Sequence, residues 1–279
     1  MTSAADVAVL PGSTTPCQRR LDDKRSWGPV LAVRTGSVVC GVRSDSAAGA
    51  DLLDAALAPV RMPELDDQVA PNFSVELTGE DRARRLFLAY RAHQVVARRH
   101  DRDELLTDLV TLLDDGARAR DDEGLALLSG LLVTPQGEGV LLPVDVHRVL
   151  LSRRRQLDDA GLQLRASRVH RYRPDTGAVS TRVVDPAVAE ALAAMGTTEP
   201  FPDPVPVRTW CVGVRTDDPR TLSGAEALMA CLPTVLSRDQ VGMGAVLGAL
   251  RTAVLRHATV AMPVLSAGAQ ARAVIDAAS

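Results

Sequence analysis

The sequence predicts an α/β protein: a mixed β-sheet core with flanking helices, plus an N-terminal strand-and-helix (α+β) subdomain. Two observations carry this. Short β-rich runs come in pairs across turn residues, as in Leu131-Leu-Val-Thr-Pro-Gln-Gly-Glu-Gly-Val-Leu-Leu-Pro143. Between such pairs lie Ala- and Leu-rich stretches with helical spacing, as at Leu105, Leu109, Leu112 and Leu113. The expected division is a flexible arm (1–27), an N-terminal subdomain (28–120) and a core (121–279). A chain of 279 residues that is 46% hydrophobic can bury such a core.

In chain order, Pro11-Gly-Ser-Thr-Thr-Pro16 and the lack of a sustained period mark the arm. Val30–Val33 and Val38–Val42 flank Arg34-Thr-Gly-Ser37 as a hairpin, and a helix from Ala47 ends at Pro59. Phe73-Ser-Val-Glu-Leu77 alternates as a half-buried strand does. Glu80 to His100 has no Gly or Pro and places Leu86, Tyr90, Gln94 and Ala97 near one face, which predicts a helix ringed by arginines. A second helix follows, with Asp101, Asp103 and Glu104 at its start. After the central hairpin and helix, two more strands flank Pro174-Asp-Thr-Gly177, and Pro186 opens a helix to Met195. Val207 to Arg215 is a strand. Helices at about 219–232 and 240–257 enclose the strand Thr259 to Val264, and a last helix spans Ala267 to Ala278.

Composition excludes several functions. A net charge of −3 provides no field for nucleic acid or an anionic membrane, and no apolar run has membrane-spanning length. The first 26 residues lack a signal-peptide pattern, so a cytoplasmic protein is expected. Cys17, Cys40, Cys211 and Cys231 have no metal or redox spacing and read as buried thiols. Lys24 is the lone lysine among 32 basic residues, which leaves no candidate for a Schiff base or a phosphate-binding lysine elsewhere.

The central stretch 125–184 has the order strand, turn, helix that binds phosphate where the turn is glycine-rich. Here Val144, Asp145, Val146, His147 and Arg148 fill that place, with no glycine and no following Lys-Ser/Thr. Ser129-Gly-Leu-Leu-Val133, Gly137-Glu-Gly-Val-Leu-Leu-Pro143, Ala160-Gly161, Leu162-Gln-Leu164 and Pro174-Asp-Thr-Gly177 follow one another as in a known enzyme family. The flanks, with Pro71-Asn-Phe-Ser-Val75 and Val260-Ala-Met-Pro-Val264, extend the similarity over about 28–278. The chain thus resembles the HPr-kinase-like (HPr serine kinase/phosphorylase-related) family of bacterial phosphotransferases. The resemblance implies a kinase-like core with a relic loop at Val144 to Arg148. It also implies that Ser129 stands where the family often has histidine, and Ala166-Ser167-Arg168 where it has acids for magnesium and proton transfer. A pseudoenzyme with no catalytic residue and no cofactor is the expectation.

Other candidate chemistry is sparse. Arg148 and Arg153-Arg-Arg155 suit anions, but consecutive helical positions diverge around the axis and read as solvated surface. His147, His170 and Asp145 would approach one another if the core packs as in the family, yet their spacing matches no metal motif and no metal is expected. Ser129, Ser152 and Ser266 lack a nucleophile elbow.

In high-GC bacteria HPr-kinase-like proteins often accompany genes that modify ribosomally made peptides (RiPP biosynthesis). The resemblance therefore implies a non-catalytic peptide-binding adaptor, a precursor-peptide recognition protein whose partners are the precursor and its modifying enzymes. A divergent ATP-dependent phosphotransferase using Arg148 and Asp145 is the alternative, and a purely structural subunit the third reading. Peptide capture on a strand edge places the binding residues at Val38, Val42, Phe73 and Val75, with Arg82, Arg85 and Arg91 steering an acidic leader.

Overall fold

The computed structural model describes residues 8–12, 15–23, 25–36, 38–78, 86–119, 124–196, 203–214, 219–237, 241–263 and 274–275. The protein is mixed α/β with two mixed sheets. It forms two compact units, residues 1–117 with 183–198, and 118–182 with 199–279. Among the described residues no helix is long and apolar enough to cross a membrane.

The first unit begins with β1 (Ala8–Val9) and α1 (Pro16–Asp23), then the hairpin β2 (Val30–Thr35) and β3 (Val38–Ser44). Gly36 turns that hairpin at φ +58°, a conformation glycine adopts without strain. Then come α2 (Ala47–Ala56), β4 (Pro71–Glu76), β5 (Phe87–Arg91), β6 (Gln94–Arg99) and α3 (Arg102–Leu113). The sheet runs β1-β3-β4-β5-β6, with β2 on the other side of β3. Contacts of β3 with β1 and β4 are parallel, and the other pairs are antiparallel. Ser46 caps α2 by accepting from the Gly49 N–H, and Asp101 caps α3 by accepting from that of Glu104, both at 2.9 Å. Leu105, Leu109, Leu112 and Leu113 are buried as the spacing predicts.

Two expectations fail here. Glu80 to His100 is not a helix: residues 87–99 form the β5–β6 hairpin, and 79–85 lie outside the described residues. Ala92 makes the turn at φ 51°, a position that carries no glycine to signal it, and its N–H donates to the Asn72 carbonyl at 2.8 Å. Nor are residues 8–27 an arm, because β1 pairs with β3 and α1 lies against the sheet through the Asp22–Arg43 contact.

A short helix, α4 (Asp115–Arg118), leads to the second unit: β7 (Leu125–Leu128), β8 (Gly130–Val133), β9 (Gly139–Leu142), α5 (Val144–Leu151), α6 (Arg154–Asp159), β10 (Gln163–Leu164), β11 (Val169–Arg173) and β12 (Ala178–Ser180). The chain then returns to the first unit as α7 (Pro186–Ala194), inside the stretch that the sequence assigns to the core. Asp114 explains the return. Its carboxylate accepts from the backbone N–H groups of Val184 (3.0 Å) and Asp185 (2.8 Å). Asp185 then caps α7 through the Ala187 N–H, with Pro186 at the first helical position.

β13 (Val205–Val214), β14 (Arg220–Thr221), α8 (Gly224–Cys231), α9 (Met243–Arg256) and β15 (Ala258–Pro263) complete the second unit. Its sheet runs β10-β8-β9-β13-β12-β11-β7, and β15 adds parallel to β13. One face packs Leu131, Leu141, Tyr172, Trp210 and Val212 on Val246 and Leu250 of α9. The other packs Leu132, Val140 and Cys211 on Val146, Leu150 and Leu157 of α5 and α6. A register shift between Val207 and Thr209 lets Val205, Val207, Trp210 and Val212 all reach the first of these cores. Burial pushes the thiols of Cys40, Cys211 and Cys231 up to about 12, whereas Cys17 is exposed, against the expectation that all four are buried.

The outer edge of β2 is closed by side chains. The Ala32 N–H donates to Asp66 at 2.6 Å, while the Arg61 guanidinium (2.7 Å) and Met62 N–H (2.9 Å) donate to the Ala32 carbonyl. Burial raises the Asp66 carboxyl, but hydrogen bonds from Arg61 and Ala32 and the Arg61 charge outweigh it and hold the group below its ordinary value. Arg61→Ala should therefore cost about 1–3 kcal/mol in a urea titration. Because the folded pKa of Asp66 is depressed, its contribution is present above about pH 4 and fades as pH falls further. An unchanged midpoint at neutral pH would contradict the assignment.

Candidate functional site

Strand pairing decides what the first unit's sheet can offer. Val38 and Val42 on β3 and Phe73 and Val75 on β4 are buried, with relative exposures of 5%, 0%, 4% and 0%. β3 is flanked by β2 on one side and by β1 and β4 on the other, and β4 lies between β3 and β5. Neither is an edge, so the expected docking strands are interior ones. Their alternation is that of a strand covered on both faces, and each large apolar side chain so buried contributes about 1.5–3 kcal/mol. Arg82 and Arg85 lie outside the described residues. Arg91 is exposed near the end of β5, its guanidinium 5.8 Å from the centroid of the Phe73 ring.

The open edge is β6. Among the described residues no strand pairs with its far side. Arg91 and Gln94 are cross-strand partners around a two-residue turn. Residues bracketing such a turn bond to each other, so the next residue, Val95, points its N–H and carbonyl outward. Arg98 is half-exposed on the same strand. Arg99 is held by α3 through Asp108 at 2.6 and 2.8 Å and Glu104 at 3.1 Å.

One face of this sheet is polar and buried, which sequence reading missed. Pairing aligns Arg43 with Ser74, Ser74 with Tyr90, and Glu76 with Leu88. The Arg43 Nε donates to the Ser74 hydroxyl at 2.9 Å, and the Tyr90 hydroxyl donates to Glu76 at 2.5 Å. Asp22 of α1 pairs with Arg43, Arg25 pairs with Glu76 at 2.9 Å, and the Arg43 guanidinium lies 4.7 Å from the Trp27 ring centroid. The alternation of Ser74 and Glu76 was the available signal, but it reads equally as a solvated face.

In the second unit Val144 to Arg148, where the resemblance places a phosphate loop, is the start of α5. A proline that breaks the strand followed by Asp145 suggests Asp145 as the helix cap, but Pro143 occupies the N-cap position. Asp145 sits in the first turn facing solvent, 3.7 Å from Arg148, which is also exposed. Val144 is half-buried and Val146 buried. Proline has no N–H to offer an anion, and the Asp145 carboxylate adds negative charge where a phosphate would sit.

His147 and His170 are both fully buried. The His147 Nε2–H donates to the Arg165 carbonyl at 2.8 Å. Gly130 makes room for this ring, since a Cβ there would lie 2.6 Å from the His147 Cβ. Burial first, then the charges of Arg118, Arg165 and His147, holds the His170 imidazole well below its ordinary range. The Ser167 backbone offsets part of this, short of a hydrogen bond of normal geometry. The charge of His147 reaches His170, while Asp145 is exposed and adds no ligand beside them. Among the described residues no group of three His, Cys, Asp or Glu could hold a metal. The guanidinium of Arg118 donates to the carbonyls of Val169 (3.4 Å) and Arg182 (3.2 Å), and that of Arg165 to Thr181.

The chain matches no protein-family model, and no curated protein or solved structure matches it.

His170 gives a pH test. Its folded pKa is depressed, so the native state binds fewer protons than the unfolded chain and loses stability as pH falls below about 6.5. His257, whose pKa is also lowered by burial and by Arg256, acts in the same direction. Urea titrations at pH 7.5 and 5.5 should show a lower midpoint at the acid end, and His170→Gln should flatten that difference. An equal slope in the variant would remove His170 as its source.

Proposed function

We propose that the chain is a non-catalytic, cytoplasmic peptide-binding adaptor that presents a precursor peptide to partner enzymes in the biosynthesis of a ribosomally made, modified peptide. The observation that carries this reading is the open edge of β6, because an extended peptide gains main-chain hydrogen bonds by adding to such an edge. It moves the docking strand from β3 and β4 to β6. Arg91 and Arg98 supply positive charge along the hairpin for an acidic leader segment.

The resemblance to the HPr-kinase-like family supports the same reading, through a core whose phosphate-binding position is filled by Pro143, Val144 and Asp145. The alternative, a divergent ATP-dependent phosphotransferase, would need Asp145 and Arg148 as its working pair. Both face solvent beside each other, outside the buried histidine cluster.

The test is hydrogen exchange of the full chain with a synthetic leader from a precursor gene adjoining its own. New protection should appear on residues 94–99. Val95→Pro removes an outward N–H and should weaken binding by about tenfold, or ~1.4 kcal/mol, with the melting point little changed. Protection confined to residues 125–184, or the absence of any adjoining precursor gene, would sink the reading.

A further inference from the structure

The first unit's sheet has two unlike faces. Val42 opposite Phe73, and Val75 opposite Ala89, lie on one face and are buried hydrophobics. Arg43, Ser74, Glu76 and Tyr90 fill the opposite face and are equally buried. Residues 15–23 and 25–27 lie across that polar face. Thr15 approaches His93 at 3.5 Å and accepts from the Gln18 N–H at 3.2 Å, starting α1. Asp22 and Arg25 then meet Arg43 and Glu76, and the Gly28 N–H joins the Ser44 carbonyl at 2.8 Å.

What holds this segment is charge rather than apolar burial. Gln18 is the one buried residue of α1. The Gln18 Oε1 and the Trp27 Nε1 are shut away from water without a hydrogen bond. Such a contact is a poor permanent cover, since a buried ion pair against a sheet is usually no better than an apolar one of the same shape. It is well suited to opening. Exposed, every charged group recovers its hydration, and segments with few apolar contacts open at low free energy. Asp22 retains 36% of its side-chain exposure, so water already reaches the outer pair.

We propose that residues 15–23 with 25–27 are a displaceable strap, and that the sheet face beneath them binds a peptide segment carrying a carboxylate and a basic side chain at the spacing of Asp22 and Arg25. Arg43 receives the carboxylate and Glu76 the cation. The strap occupies this face in the free protein and sets a threshold for the partner. This surface is separate from the β6 edge, and its test does not depend on the outcome there.

Native-state hydrogen exchange on the full wild-type chain comes first. Amides of residues 17–23 should exchange through a local opening, well before those of β3 and β4, and faster as sodium chloride is raised, because salt screens the two pairs. Exchange of both sets only together, in global unfolding, overturns the strap. The second arm uses a synthetic peptide of residues 15–28 as probe. Wild type should bind it at least tenfold more weakly than the full chain bearing Asp22→Asn and Arg25→Gln, whose own strap is loosened. Adding Arg43→Gln to that chain should abolish binding, as should exchanging the acid and the base within the peptide. Equal binding by both chains, or binding indifferent to Arg43, refutes the charge-directed face.

Discussion

Strand β13 is the constraint on which the second unit rests. It is ten residues long and lies inside the sheet, and from Trp210 to Val212 it is buried on both faces and apolar in both directions. Trp210 points into the core beneath α9, and Cys211 into the core beneath α5 and α6. The bulge near Arg208 keeps this arrangement consistent, since Val207 and Trp210 are three residues apart and a regular pleat would send them to opposite faces. β9, β12 and β15 all take their register from this one strand. Truncating a buried residue as large as Trp210 typically costs about 3–5 kcal/mol, a large share of a domain's stability.

The elements that the sequence made legible are those whose signals are local. Pro186, Asp101 and the leucines of α3 each act within one or two turns, and the central hairpin carries its own Pro-Gln-Gly-Glu-Gly punctuation. The β5–β6 hairpin was hidden because Ala92 adopts a positive φ with no glycine there, while the arginines on both sides have good helix propensity. Edge or interior status is a property of the whole sheet. Phe73 to Leu77 could announce a strand with one polar side, but not that β3 and β5 would flank it or that Arg25 would reach Glu76.

The open edge of β6 gains weight from how the other edges are treated. Arg61 and Asp66 are spent on the Ala32 backbone. At β7, Leu127 bridges Val235, the Leu236 N–H reaches the Ala126 carbonyl at 2.8 Å, and the Ser237 hydroxyl accepts from the Ala126 N–H at 3.2 Å. Closing an edge is the usual defence against unwanted pairing. On the adaptor reading, β6 is the edge kept available, and the positive charge of Arg91 and Arg98 beside it discourages pairing with a second copy of itself.

The hydrogen bonds from Val184 and Asp185 to Asp114 have a consequence for how the chain is made. They tie α7 to a unit whose remaining elements end some 70 residues earlier, and α7 packs against α3 there. A ribosome delivers residues in order, so the first unit emerges with a vacancy that only residues 183–198 can fill. By then the strands from β7 to β12 have also appeared and must wait for β13. Completion of the first unit is therefore postponed past the start of the second, and each leaves apolar surface uncovered in the meantime.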